Sequence, residues 1–574
     1  MGTPCTQRSP GPWLIGSILL LALLLRCYAA LRLSAHIDEA STLLAIHRVA
    51  EIGLPILPSG SAYFQGATLS YLLTPLHWLG WADLNGDLTL LRLPEVIAGT
   101  AAVWLTYVLG SRVSGNARVG TLAALLLALD PISVQWSAHV RMYAPLQALS
   151  LGLILTFLSL LTGPPRRRRL VLFVALWWIA IFTHVSAALL LPAMGLIALR
   201  VHGRSLLSGR RDLILALGLG AAAAGALLGI NALFGQARAG TEATAPLPWI
   251  RFVGDHVIDL GALTEIDLTL WRSLFLMGEQ SRLASLPPLF IIGASLAIVV
   301  GWLPLGRRLN SHREIEYRVV TGALLACYWL PVLIVSAVAT SPRPRYLLLV
   351  QPLSYIILAS AAVSLRWKWI RRETSFRFVR HASLAVPGAV ALLLLVHLGR
   401  GLVWLGEHPV VMPNYVNALS YVNLRHQPGE LVLVSMPSPA YLVLSDVDDL
   451  RYLAGPDDRP PGQSRVERYT RLAPNGQRID YWIGVGAIAS TAELCETFIN
   501  NPDAWLVLED ARHLNHGWAY GGDMAEVITG MTVETYRAPG GAVVRRAQEV
   551  SLSNHLRQLC GIRLATFENG FLGR

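Results

Sequence analysis

Eleven apolar stretches recur along the chain, at roughly 12–31, 92–112, 118–136, 142–162, 170–183, 185–199, 212–234, 286–306, 319–340, 345–365 and 382–404. A helix of about 20 apolar residues crosses a bilayer core about 30 Å thick. Repetition on this scale predicts a polytopic, all-α membrane core. Composition agrees: 53% of the 574 residues are hydrophobic and only 14% are charged. Soluble domains carry about 25% charge, so a soluble enzyme of several ordinary domains is excluded. So is a disordered chain.

The basic residues orient the spans. Arg112 with Arg118, Arg166 to Arg169, Arg200 to Arg211, Arg307 to Arg318, and Arg366 to Arg380 form five clusters. Placing all five in the cytoplasm satisfies the positive-inside rule. The N-terminus is then cytoplasmic, and segments 32–91, 235–285 and 405–574 lie outside. That parity requires 170–183 and 185–199 to be two spans broken around His184, because a single helix would turn every later cluster outward. Span 12–31 also has features of a signal peptide; with only Arg8 in its n-region, it reads as an anchor.

The net charge of +11 is unevenly spread. Residues 406–574 carry 19 acidic and 14 basic residues, and the first 405 carry 17 and 33. Basic loops beside anionic headgroups account for this, and no nucleic-acid partner is implied. The chain divides into two units: a membrane core over 1–405 and an extracytoplasmic α/β domain over 406–574, long enough for its own core. In the latter, Glu430–Met436, Tyr481–Ile488 and Ala504–Leu508 read as buried strands, and Thr491–Asn500 and Gly522–Gly530 as helices. Thr532–Arg537 and Ala542–Arg545 read as a hairpin around Pro539-Gly540-Gly541. Five cysteines are too few for a disulfide framework, but Cys495 and Cys560 could pair in an oxidising compartment.

Candidate chemistry gathers at the outer ends of spans. The first outer loop, 32–91, carries Asp38 and Glu39 directly after the first span, followed by Glu51, Tyr63, Asp83 and Asp87. Such a pair is either a solvated face or a carboxylate base beside the bilayer, where lipid-linked substrates present their headgroups. Arg141, Arg343 and Arg345 also face outward by parity, where anchoring does not require arginine. Each alone reads equally as a snorkelling side chain; together they place guanidinium forks, suited to phosphate, at the level of Asp38. His184 sits at a helix break, as a local cap or a ligand. There is no Gly-rich phosphate loop followed by Lys, no metal-type Cys or His spacing, and no serine nucleophile elbow.

These pieces, in this order, resemble the GT-C membrane glycosyltransferases of the family 39 type. That family includes protein O-mannosyltransferases, the aminoarabinose transferases of lipid A, and bacterial relatives of unassigned acceptor. The resemblance rests on Asp38-Glu39, on Gly53 to Gly60 with Tyr63, Gly66 and Tyr71-Leu72-Leu73, and on Leu91-Arg92-Leu93-Pro94. Leu129-Asp130-Pro131, Arg141-Met142-Tyr143-Ala144, Phe182-Thr183-His184 and Arg345-Tyr346-Leu347 complete it. It implies a polyprenyl-phosphate-linked sugar donor and a glycan, lipid or protein hydroxyl as acceptor. The reaction would be a single inverting displacement outside the cytoplasm, at a cell inner membrane. Asp38 would be the base and Glu39 would orient the loop or a ligand. Arg345, Arg343, Arg141, Tyr346, His184, His139, Tyr63 and Arg92 would hold phosphate and sugar. His139 stands where many bacterial relatives have Glu, and Tyr143 where other branches have Asp. Some relatives bind a divalent metal; Glu39, His139 and His184 are the candidates for one here. A non-catalytic binder or carrier of lipid-linked glycans, and an assembly scaffold, are the other function classes.

Overall fold

The computed structural model describes residues 12–64, 66–84, 88–163, 166–203, 211–236, 288–300, 312–338, 344–363, 414–444, 448–456, 469–473, 475–510, 522–548 and 553–560, with isolated residues at 395, 399, 403, 466, 514 and 520. The expected span 382–404, most of the outer segment 235–285, Asp87 and Arg343 lie outside the described residues.

The membrane core begins with α1 (Pro12–Arg32). The first loop, 32–91, is itself helical, a feature the apolar pattern did not announce. It holds α2 (Ile37–Ile52) and α3 (Ala67–Trp78). The core continues through α4 (Thr89–Ser114), α5 (Ala117–Leu129), α6 (Pro131–Trp136), α7 (Tyr143–Thr162), α8 (Arg167–Thr183) and α9 (Leu190–His202). It ends in α10 (Arg211–Gln236), α11 (Pro288–Val300), α12 (His312–Val338) and α13 (Gln351–Val363). Among the described residues, six helical segments are long and apolar enough to cross a membrane, and two shorter apolar helices accompany them.

Breaks at two residues shape the core around its polar groups. The stretch 118–136, expected as one span, divides at Asp130 between α5 and α6. Pro131 lacks an N–H and pushes the residue before it out of the helical region. Asp130 is accordingly extended, and its carboxylate caps α6 by accepting from the Ser133 N–H at 2.6 Å. The second break falls at His184, where the charge parity required one. Extended backbone there ends α8 and starts a 3-10 turn, Val185–Leu189, which runs into α9.

Close packing in the core uses small residues where backbones approach. A Cβ on Gly99 of α4 would collide with Ser137 Oγ and sit 2.8 Å from Arg26 Nε. That gap admits Arg26, fully buried within α1. Its guanidinium donates to the Leu127 and Ala128 carbonyls at 3.3 and 3.4 Å, and to Ser133 Oγ at 3.0 Å. The last carbonyls of α5, orphaned by the break, thereby find a donor.

The C-terminal α/β region contains α14 (Tyr415–Asn423), β1 (Val432–Val434), α15 (Pro437–Val443), β2 (Leu450–Leu453), β3 (Thr470–Leu472), β4 (Arg478–Asp480) and β5 (Ala487–Ile488). It continues with α16 (Thr491–Asn500), β6 (Trp505–Glu509), α17 (Gly522–Met531), β7 (Thr532–Arg537), β8 (Ala542–Ala547) and α18 (Asn554–Leu559). Six strands form one mixed sheet in the order β5-β2-β1-β6-β8-β7. The β5-β2-β1-β6 part is parallel and β8-β7 closes it antiparallel. Alternate residues serve opposite faces. Val432 and Val434 pack with α14, α15 and the loop helices; Leu433 packs with α16 and α17. The expected strand 481–488 shrinks to Ala487–Ile488, because the Asp480 carboxylate gathers the N–H groups of Trp482, Ile483, Gly484 and Val485 into a turn. Cys495 and Cys560 are disulfide-bonded, tying α16 to the end of α18.

This region is docked on the first loop. Ala40, Leu43, Ile46, Leu69 and Leu73 of α2 and α3 share an apolar cluster with Ala440, Val443 and Ile483. Ser59 N–H donates to the Trp482 carbonyl at 3.3 Å. The loop helices and the C-terminal region therefore lie on the same side of the membrane core.

Candidate functional site

The site begins at the first turn of α2. His36 caps the helix: its Nδ1 accepts from the Asp38 N–H at 3.0 Å, and its own N–H donates to Glu39 Oε2 at 2.7 Å. This reciprocal cap fixes Asp38 and Glu39 on adjacent helical positions, so they point in different directions.

Glu39 points inward and is fully buried. Its two oxygens accept from Arg92 Nε and Nη2 at 3.0 and 2.8 Å, from the Val140 N–H at 2.7 Å and from His36 N–H. His139 Nδ1 lies 3.2 Å away. Burial alone would raise its pKa, but the Arg92 guanidinium and His139 hold it well below the carboxylate range. Arg92 is equally committed: its remaining N–H groups donate to the carbonyls of Ala30, Leu33 and Ser34. All its donors are spent inside the protein. It joins α1, α2 and α4 and has none left for phosphate.

Asp38 faces the other way, with its side chain 27% exposed. Its Oδ2 lies 3.4 Å from Arg345 Nη1 and 3.6 Å from Arg141 Nη2, yet accepts no hydrogen bond. Burial would raise its pKa, but Arg141, His36 and Arg345 together hold it well below the ordinary range. Arg141 is positioned by Nη1, which donates to Tyr63 Oη at 2.6 Å, Asp38 O at 3.0 Å and Thr42 Oγ1 at 3.1 Å. Arg345, in the 3-10 turn Pro344–Leu347 before α13, lies over the Trp136 ring at 5.5 Å and the Tyr346 ring at 5.9 Å. The Nε atoms of Arg141 and Arg345, and Nε2 of His139, also have no partner. Buried polar atoms are rarely left so; here Oδ2 of Asp38 is buried and unpaired as well.

The structure thus brings together Asp38, Arg141, Arg345, Tyr63, Tyr346, His139 and His184, which lie as far as 308 positions apart in the numbering. His184 is 6.4 Å from the Tyr346 ring, and its Nδ1 meets Ser186 Oγ at 2.7 Å, so its local capping role is realised. Burial, with Arg141 and Arg345 nearby, pushes its pKa down to about 3. Burial likewise pushes His36 to about 3. Trp136, Thr42 and His36 belong to the same site and were not singled out from the sequence. Spacing offered a signal for two of them: Thr42 stands four residues after Asp38, and Trp136 three before His139.

Among the described residues, no group of three His, Cys, Asp or Glu side chains gathers as a metal site. The charges present do not suit a divalent cation. Asp38 faces two guanidiniums, and both oxygens of Glu39 are taken by N–H donors. His139 meets Glu39 but His184 joins neither.

Over residues 76–227 the chain matches the model of a family described as dolichyl-phosphate-mannose-protein mannosyltransferase. No curated protein matches it. Among solved structures, the Archaeoglobus fulgidus oligosaccharyltransferase tethered to an acceptor peptide with an NVT sequon is 12% identical, over 96% of this chain and 78% of that one, with a TM-score of 0.50. The same enzyme in complex with Zn and sulfate is 13% identical, over 92% and 73%, with a TM-score of 0.50. ArnT from Cupriavidus metallidurans bound to undecaprenyl phosphate is 13% identical, over 94% and 98%, with a TM-score of 0.49. At these identities the two likenesses with a TM-score of 0.50 speak for the fold alone. The resemblance read from the sequence, to GT-C membrane glycosyltransferases, holds.

Proposed function

We propose that the chain is an inverting glycosyltransferase, moving a sugar from a polyprenyl-phosphate donor to a hydroxyl on a glycan, lipid or protein outside the cytoplasm. The observation that carries this reading is the buried but unpaired Oδ2 of Asp38, set between Arg141 and Arg345 on the side of the core that holds the first loop. The membrane is the cell inner membrane and the N-terminus is cytoplasmic in this reading. Residues 406–574 act as an extracytoplasmic domain set over the first loop.

The chemistry needs few groups. The acceptor O–H gives its proton to Asp38 as its oxygen attacks C1 of the sugar. The bond from C1 to the phosphate oxygen breaks, and that oxygen keeps the electron pair. The leaving lipid phosphate needs no acid, since its last pKa is about 6. It needs positive charge where negative charge grows, and Arg345 and Arg141 supply it. Tyr346 and His184 border the same space. Arg343 carries the same expectation.

The charge geometry adds a sequence to these events. Before donor binds, both guanidiniums hold Asp38 ionised and weakly basic. An arriving phosphate takes their field onto itself. Asp38 is then released as a stronger base when the proton has to move.

The test is transfer of labelled sugar from polyprenyl-phosphate donors by the purified protein. Wild type should transfer, and Asp38→Asn should lose roughly 10²–10⁴-fold in turnover while retaining the lipid. Donor binding without transfer in wild type would mark a non-catalytic carrier of lipid-linked glycans. Neither binding nor transfer would favour a scaffold.

A further inference from the structure

A ring of hydrogen bonds lies inside the core. The Asp130 carboxylate, at the α5–α6 break, accepts at Oδ1 from Ser133 N–H (2.6 Å) and Gln351 Nε2 (2.9 Å), and at Oδ2 from Tyr355 Oη (2.5 Å). Gln147 of α7 donates from Nε2 to Gln351 Oε1 at 3.3 Å and to the Leu348 carbonyl at 2.9 Å. Ser133 Oγ then donates to Gln147 Oε1 at 3.4 Å and closes the ring.

The ring joins three separate stretches of chain. One is α6, which leads through Trp136 into His139 and Arg141. The second is the start of α7. The third runs from Arg345 into α13; Leu348 N–H donates to the Arg345 carbonyl at 3.3 Å, and its side chain packs on Trp136 and Tyr143. The two guanidiniums beside Asp38 thus ride on segments that the ring ties together. Apolar side chains would pack these spans as well. Buried amides and a carboxylate in lipid are instead directional, because each donor must meet its acceptor or go unpaired.

We propose that Gln147 and Gln351, acting through Asp130, are positioning residues that set Arg345 at its distance from Asp38 and Arg141. This rests on the reading that Arg345 holds the donor phosphate. Gln147→Leu keeps the size of the side chain and removes the donor to Leu348 and Gln351. It should cost about tenfold in donor kcat/KM in the wild-type background, the loss one buried hydrogen-bonded group gives. In an Arg345→Ala background it should cost under about twofold, since the residue it positions is gone.

Tyr355→Phe is the second variant: it removes one hydroxyl, keeps the packing and should show the same non-additive pattern on a smaller scale. The measurement is labelled-sugar transfer by full-length protein in nanodiscs, with retention of undecaprenyl phosphate read in parallel. Equal losses in both backgrounds would make the ring a packing feature and overturn the proposal. So would unchanged kcat/KM in both variants. A wild type that neither transfers sugar nor retains undecaprenyl phosphate would instead sink the functional reading, and the proposal with it. An Arg345→Ala enzyme as active as wild type would remove the premise while leaving the transferase reading intact.

Discussion

Two neighbouring carboxylates at the start of α2 meet opposite surroundings. Glu39 has no exposure and both its oxygens are filled by donors from Arg92, His36 and Val140. Asp38 is partly exposed, and its Oδ2 accepts nothing although two guanidiniums lie within 3.6 Å. A charge fully enclosed by matched donors serves shape. A charge held in a strong field without a hydrogen bond is free to exchange partners when a substrate arrives. One helix turn therefore supplies both an internal clamp and a carboxylate oxygen without a hydrogen bond.

The largest effect should come from breaking the clamp. Glu39→Gln leaves the buried Arg92 guanidinium without its counter-charge, and removing one partner of a buried pair costs about 3–5 kcal/mol. Thermal denaturation in detergent should show a large fall in Tm, with loss of transfer following the loss of fold. The comparison breaks if Glu39→Gln melts like wild type but is catalytically dead while Asp38→Asn still turns over. Glu39 would then be the base.

The division between the two carboxylates was only half legible in the sequence. The acidic pair, the outward arginines and their common membrane level follow from hydropathy and charge parity, both local properties of a chain. The split at His184 followed from the same parity. Arg92 could not be read that way. Its position at the start of a span made it look outward-facing, and only the packing of α1 against α4 turns it onto Glu39. The helices of the first loop escaped because α2 and α3 bury their apolar residues against the C-terminal region, a partner some 400 residues away in sequence. The break at Asp130 was masked by the apolar run around it. Within the C-terminal region, Thr491–Asn500 matched its expected helix at both ends, since a serine cap and a strong apolar stripe are local signals. The strand over 481–488 failed because a buried aspartate competed for its backbone.

Changing the charge around Asp38 should cost less than breaking the clamp. Arg345→Ala removes one of the two cations facing Asp38 and should lower transfer roughly 10²-fold, the loss typical of one stabilising donor. Arg345→Lys keeps the charge without the planar fork and should lose about tenfold. Both variants should melt near wild type, because Arg345 is part-exposed and its Nε is unpartnered. Near-normal transfer in both would reduce Arg345 to an interfacial anchor and move the phosphate to Arg141.

The finest test reads the field on Asp38 through pH. Burial raises its pKa, while Arg141, His36 and Arg345 lower it further than burial raises it. Transfer needs the ionised form, so protonation produces an acid limb below which the rate falls. In the free enzyme, reported by kcat/KM, that limb should lie below the ordinary carboxylate range. In the donor complex, reported by kcat, phosphate neutralises the guanidiniums and the limb should move to higher pH. Removing the Arg345 charge should move the kcat/KM limb the same way, by roughly one unit or more. The direction is fixed, because losing a nearby positive charge makes a carboxylate easier to protonate. Coincident limbs in kcat and kcat/KM would mean the phosphate does not displace the arginines from Asp38. A limb unmoved in Arg345→Ala would mean that Arg141 and the buried surroundings set the field alone, leaving Asp38 as fixed a charge as Glu39.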